Sequence, residues 1–272
     1  MESHDLWIFK HVAELQSISR AAEKLGYVQP NISQRIKSLE EELGVKLLVR
    51  NNRGVTLTED GKILLNYTNQ IMMLMDEAKS KLNPKKWRKS LIIGAPQTIS
   101  AVKVPRLLAS FLQSNQGIDV KVKTANKLQL QEMLAYGEVD GIFISGTYNE
   151  SQFESVYRYF EDIVLIPPSE QQHPTLLVNS DPSCIYRNKL FDFAEKQNWN
   201  QPAIMEFDSL ESILQAVHTG LGITILPADV IKEVKDIHHK ELGDKMKIDF
   251  IMKRGKQRSQ SLEKFNLFLK EL

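Results

Sequence analysis

A single cysteine, Cys184, stands in the 272 residues, which excludes an intramolecular disulfide and any zinc site built on paired cysteines. No apolar run approaches the ~18 residues a membrane-spanning helix requires. The opening MESHDLWIFKHVAEL carries acids at Glu2 and Asp5 and lacks the apolar stretch of a secretory signal. The expectation is therefore a cytoplasmic protein with no membrane partner. GxSxG, P-loop, HExxH and strand-flanked GxGxxG patterns are all missing, so catalysis has no motif to rest on, and no cofactor or metal is expected. His238 and His239 are adjacent and diverge, with no third ligand close in sequence.

What is present fits a packed globular chain: 42% hydrophobic, 25% charged and 8% aromatic residues. The length exceeds one typical domain and favours two or three folded units. The net charge of +1 hides an asymmetry, since residues 1–89 hold 15 Lys+Arg against 11 Asp+Glu while residues 90–272 hold 20 against 23. The positive end is where an anionic polymer would bind.

Leu6, Ile8, Phe9, Val12 and Leu15 recur at helical spacing and predict a helix from about Asp5 to Gln16. Ser17 or Ser19 can cap a second helix, SRAAEKL, closed by Gly26. Pro30 suits the first turn of a third helix, whose buried face is marked by Ile32, Ile36, Leu39 and Leu43. Three short helices with a tight turn between the second and third form the helix-turn-helix plan, with the motif from about Ile18 to Lys37. VKLLVRNNRGVTLT alternates about a turn-rich centre and reads as a hairpin wing.

Thr58 then caps a long helix in which Leu64, Tyr67, Ile71, Leu74, Met75, Ala78 and Leu82 approach a heptad seam, so it is expected to pair with a second copy of itself. Asn83-Pro84 ends it, ahead of the basic linker KKWRK. From Ser90 strands alternate with helices: LIIGA, VKVKT, GIFIS, DIVLIP, TLLVN and GITILP read as strands, and stretches at about 104–115, 127–137, 186–197 and 209–219 as helices. The alternation predicts a largely parallel sheet or pair of sheets.

The run ISRAAEKLGYVQPNISQRIKSLEEELGVKLLVRNNRGVTLTEDG resembles the N-terminal domain of LysR-type transcriptional regulators, from its Ser-x-x-x-Ala-Ala opening to its Leu-Thr-x-x-Gly close. IGAPQTISAVKVPRLLASF, EMLAYGEVDGIFI and MEFDSLESILQAVHTGLGITILP are similar to successive parts of that family's effector-binding module. The fold expected is α/β with an N-terminal all-α winged helix-turn-helix. The resemblance implies that the C-terminal part is a two-subdomain module like that of periplasmic binding proteins. The expected domains are 1–58 for DNA binding, 59–89 for a dimerisation helix and hinge, and 90–272 for effector binding. Within the last, subdomain I takes about 90–162 and 245–272, and subdomain II about 163–244.

Three departures from the family pattern stand out. Val28 occupies a position that is often Ser and available to a phosphate. Leu48 replaces the usual Phe under the wing, and the chain is short between Pro168 and Ser183, which implies a trimmed second subdomain.

A helix in the major groove reads base edges near its N-terminus, and the candidates are Gln29, Asn31, Ser33, Gln34 and Lys37. Pro30 could touch a thymine methyl, a contact the resemblance supports. Arg50 and Arg53 flank the wing tip, where a guanidinium can enter a narrow minor groove or clamp phosphates. Glu40, Glu41 and Glu42 would be repelled by phosphate and should face away from DNA.

Carried over by position, the resemblance places an effector among Gln97, Thr98, Ser100, Thr124, Asn126, Ser145, Ser183, Cys184, Ser209 and Pro227. Helix N-termini turned toward such a cleft favour an anionic small molecule. Cys184 reads as buried filler rather than a redox sensor. The partners expected are double-stranded promoter DNA with two-fold-related half-sites, a small-molecule effector, a homodimer that the resemblance extends to a homotetramer, and RNA polymerase. The competing readings are a solute-binding protein or an enzyme that uses the same kind of C-terminal domain.

Overall fold

The computed structural model describes residues 1–51, 54–83, 89–167, 175–232, 234, 237–255 and 258–272. It divides into two compact units, Met1–Lys89 with Ala135–Glu138, and Ser90–Leu134 with Val139–Leu272.

In the first unit, α1 (Ser3–Leu15) buries Leu6, Ile8, Phe9 and Val12 along one stripe. Ser17 caps α2 (Ile18–Leu25) by accepting from the Arg20 amide at 3.3 Å, and Gly26 ends it at φ +72°, a left-handed conformation that glycine adopts without strain. Helix α3 (Gln29–Leu43) follows a tight turn and buries Ile32, Ile36, Leu39 and Glu40. Strands β1 (Leu48–Asn51) and β2 (Gly54–Leu57) pair antiparallel, Leu48 opposite Leu57, and form the wing.

Leu43, expected on the buried face of α3, is 37% exposed, and Glu40 occupies the inward position instead. The reason is local. The chain turns back at Gly44, so Lys46–Leu48 cover the helix one turn earlier, and their amides require an acceptor there.

The Leu-Thr-x-x-Gly segment joins wing to helix. Thr58 donates through Oγ1 to the Lys46 carbonyl at 2.6 Å, accepts from the Gly61 amide at 2.9 Å, and so caps α4 (Glu59–Leu82). A side chain at Gly61 would put its Cβ 2.1 Å from the Leu47 carbonyl oxygen, so the junction closes only around glycine. Along α4, Tyr67 and Leu74 of the predicted seam, and Ile63 beside it, are exposed to solvent.

The second unit contains β3 (Lys89–Ala95), α5 (Gln97–Ala101), α6 (Lys103–Ser114), β4 (Ile118–Thr124), α7 (Lys127–Ala135), β5 (Gly141–Ser145) and β6 (Phe153–Ile166). It continues through β7 (Leu176–Asn179), α8 (Ile185–Lys196), β8 (Ile204–Phe207), α9 (Leu210–His218), β9 (Thr224–Pro227), α10 (Ala228–Lys232), β10 (Lys240–Lys253) and α11 (Gln260–Lys270).

The sheet is mixed, which corrects the expectation of a largely parallel one. Its order is β4-β3-β5-β10-β6-β9, with β3 and β5 parallel but β10 antiparallel to both β5 and β6, and β6 antiparallel to β9. The cause is the pair of 14-residue strands β6 and β10, which run between two cores as a shared antiparallel spine.

One core gathers Phe111, Phe143, Phe250 and Phe265 under α6 and α11. On the other side, Val164 and Ile166 of β6 pack with α9 and α10, while Ile163 and Leu165 pack with α8. That end of β6 is therefore covered on both faces, which its unbroken Ile-Val-Leu-Ile run requires. The register of β6 on β10 shifts between Glu241 and Lys245, beside Leu242 and Met246 of the α8 core, and again between Phe250 and Ile251.

Strands β7 and β8 pair parallel, and the Leu177 amide donates to the Ile223 carbonyl at 2.9 Å, joining them to the approach of β9. These are the two subdomains of the expected module. The shortened stretch after Pro168 lies outside the described residues through position 174.

Candidate nucleic-acid interface and ligand cleft

Gln29, Pro30, Asn31, Gln34 and Lys37 are exposed on α3, and Ser33 is half-buried beside them. The opposite face of the same helix is fixed by Ile32, Ile36 and Leu39, so the polar row is held in place from behind. Ser19 Oγ donates to Gln29 Oε1 at 3.2 Å, which steadies the first of these side chains from α2. Val28 is the N-cap without a side-chain cap, and the first turn of α3 contains no acid. That terminus suits a phosphate.

Pro30, Ser33, Gln34 and Lys37 line one side of a groove whose other side is Lys46, Leu48 and Arg50. Glu40, expected to face away from DNA, also lines it, where Lys46 and two backbone amides offset its charge. Arg53 lies outside the described residues.

Of the three consecutive acids, only Glu41 and Glu42 point outward. Glu40 accepts from the Leu47 amide at 2.9 Å, the Leu48 amide at 3.3 Å and Lys46 Nζ at 2.8 Å. Burial pushes its carboxyl up, but Lys46 and the two amides together outweigh burial and hold it below the usual carboxylate range. Its sequence signal was the 32-36-40 spacing, hidden because an acid in a run of acids reads as surface.

In the second unit a cavity of about 340 Å³ opens at the carboxyl ends of β3, β4 and β5 on one side and of β7 and β8 on the other. Clefts in α/β sheets form at such strand ends. Gln97, Thr98, Thr124, Asn126, Ser145, Ser183 and Cys184 all line it. Ser100, Ser209 and Pro227 stand just outside: Ser100 receives the Thr124 hydroxyl at 3.0 Å, Ser209 caps α9 by accepting from the Ser212 amide at 3.1 Å, and Pro227 closes β9. Gln97 reaches across, its Oε1 accepting from the Leu210 amide at 2.9 Å, and so links the two subdomains.

The lining includes groups the sequence reading did not single out: Lys127, Asp181, Tyr186, Arg187 and Asp208. Arg187 is already engaged, with the Asn179 carbonyl and with Glu206, both at 2.7 Å. Tyr186 is buried and donates to Glu161 of β6. Burial, with Asp229 nearby, pushes the Glu161 carboxyl up to about 7, although Tyr186 and Lys103 pull the other way. Burial also raises the Cys184 thiol above its ordinary value, which disfavours the thiolate on which cysteine reactivity depends.

Residues 3–62 match the bacterial regulatory helix-turn-helix proteins of the lysR family, and residues 84–272 match the LysR substrate binding domain. The chain belongs to the LysR family. It is 35% identical to the uncharacterized HTH-type transcriptional regulator YusT of Bacillus subtilis (strain 168), over 97% of this chain and 94% of that one. It is 36% identical to the HTH-type transcriptional regulator SoxR of Arthrobacter sp. (strain TE1826), over 85% and 81% of the two chains.

Among solved structures, full-length OxyR from Pseudomonas aeruginosa superposes with a TM-score of 0.72 at 20% identity, covering 99% of this chain and 95% of that one. CbnR in complex with its target DNA gives 0.68 at 21%, covering 100% and 99%. These likenesses fix the fold. The chain is a LysR-type transcriptional regulator with a DNA-binding winged helix-turn-helix and an effector-binding domain. Among the described residues no helix of this regulator is long and apolar enough to cross a membrane.

Proposed function

We propose that this LysR-family regulator binds two-fold-related promoter half-sites as a homodimer. Gln29, Pro30, Asn31, Ser33, Gln34 and Lys37 read base edges, while Arg50 and Arg53 hold the adjacent backbone or minor groove. One observation carries the reading: the polar row on α3 is exposed while the other side of the same helix is fully buried, so these tips are presented in a fixed register. The exposed apolar residues of α4 supply the pairing surface for a second copy. Pairing of dimers into tetramers and contact with RNA polymerase follow from the same reading.

A small effector in the cleft lined by Thr98, Thr124, Asn126 and Ser145 then sets the relative position of the two subdomains and thereby the response at the promoter. Gel shifts on promoter fragments test the DNA reading. Gln29→Ala and Arg53→Ala are expected to lower affinity without unfolding the chain, and unchanged binding by both would sink it. Quenching of tryptophan fluorescence on titrating small molecules tests the cleft, and a Thr98, Thr124 and Ser145 triple substitution that leaves such binding intact refutes it.

A further inference from the structure

The cleft walls carry opposite charge, and neither charge is neutralised by the other wall. On the subdomain I side, Lys127 follows β4 with its ammonium beside Gly146, where an added Cβ would stand 3.3 Å away. It has no ion-pair partner among the described residues, and Thr98, Thr124, Asn126 and Ser145 surround the same wall. On the subdomain II side, Asp181 and Asp208 sit at the ends of the parallel strands β7 and β8. Asp181 receives the Ser183 amide at 2.9 Å and its hydroxyl at 2.8 Å, and Asp208 receives the Ser180 hydroxyl. All of these donors are neutral. Among the described residues of this wall the cation is Arg187, and it is committed to Glu206 and the Asn179 carbonyl.

We infer that the effector is an ampholyte, with its acidic group held by Lys127 and its basic group held by Asp181 and Asp208. The inference rests on the effector reading above and deepens it. A simple anion would satisfy Lys127 yet be closed over by two carboxylates; a simple cation would meet the reverse arrangement. Each leaves a desolvated charge without a partner, which costs more than the ion pair it gains. A molecule with both ends charged satisfies both walls at once, and closing the cleft on it strengthens both contacts. At about 340 Å³ the cavity suits a compact solute the size of an amino acid or a short peptide.

The test uses the full chain and defined probes: the common α-amino acids, and β-alanine, γ-aminobutyrate, δ-aminovalerate and ε-aminocaproate. Each is matched with the carboxylate lacking its amine and the amine lacking its carboxylate. Melting temperature and calorimetry read binding. At least one ampholyte should bind, with each singly charged analogue weaker by about tenfold or more, the worth of a hydrogen bond to a charged group.

Lys127→Met should erase the preference for the carboxylate, and Asp181→Asn combined with Asp208→Asn the preference for the amine. The selectivity series on the unaltered chain decides the matter even if a variant fails to fold. A singly charged analogue that binds as tightly as its ampholyte overturns the inference, as does the failure of every ampholyte. If a simple carboxylate binds and shifts the promoter footprint, the effector reading survives and the ampholyte falls. If no compound binds and Ser145→Trp, which fills the cleft, leaves regulation in cells unchanged, the effector reading falls with it.

Discussion

Glu40 and Glu161 are both acids drawn under protein, one in each unit, and their surroundings push them in opposite directions. Glu40 meets an ammonium and two backbone amides and is held below the usual carboxylate range. Glu161 meets burial, one tyrosine hydroxyl and the charge of Asp229, and is pushed up to about 7. The first acid is a staple. It fixes the wing against the recognition helix through the Lys46, Leu47 and Leu48 contacts. The second lies on the long strand shared by the two subdomains and changes charge near neutrality. The same residue type is thus pinned by a cation and two amides in one unit and held by a single hydroxyl under burial in the other.

The largest effect should come from the packing beneath the staple. Ile36→Ala, at a site 1% exposed between Ile32 and Glu40, is expected to cost about 2–5 kcal/mol and to abolish promoter binding at moderate temperature. If it costs less than Glu40→Gln, the staple and not the core holds this unit.

Next comes Glu161. Because its folded pKa lies above the ordinary 4.5, its contribution is complete below that value and is lost as pH rises toward about 7. Glu161→Gln should therefore flatten the melting temperature of the ligand unit across that window, by on the order of 1–3 kcal/mol at its upper end. A wild-type profile that is already flat breaks the contrast.

Glu40 has the opposite sign. Its depressed folded pKa gives stability that is present above the ordinary carboxylate range and lost as pH falls through the folded value. Glu40→Gln is expected to cost about 1–2 kcal/mol at neutral pH and to remove the acid-side decline in melting, because two amides and Lys46 lose a charged acceptor.

The two units also differed in how far their sequences could be read. In the first, caps, breakers and the helical period all act within a few residues, so Ser17, Gly26 and Thr58 announced their roles and three helices followed. In the second, β10 escaped notice because KELGDKMKIDFIMK opens with charged residues and finds its apolar partners on β6, almost a hundred positions away. Strand β8 escaped for a similar reason: Ile204 and Met205 are exposed, so no burial period marks it. The cleft followed the same division. Hydroxyls at strand ends were legible by position, yet Lys127, Asp181 and Asp208 acquire meaning only when β4, β7 and β8 bring their ends to one cavity.

The smallest effect separates reading from holding within the DNA interface itself. Lys46 is 74% exposed, and its pairing with Glu40 adds less than about 1 kcal/mol to stability, as exposed ammonium pairs usually do. Lys46 nevertheless lines the same groove as Gln34. Under the proposed DNA reading a cation on the wing side serves a phosphate rather than a base, so Lys46→Ala should weaken all duplexes alike and lower the slope of log affinity against log salt by about one. Gln29→Ala should behave differently, costing about 1–3 kcal/mol on the cognate site, relaxing preference at one base pair and leaving the salt slope unchanged. Gel shifts over a salt series with cognate and scrambled duplexes distinguish the two. If Lys46→Ala altered sequence preference instead, the wing side of the groove would be reading bases, and the division between a reading helix and a holding wing would fail.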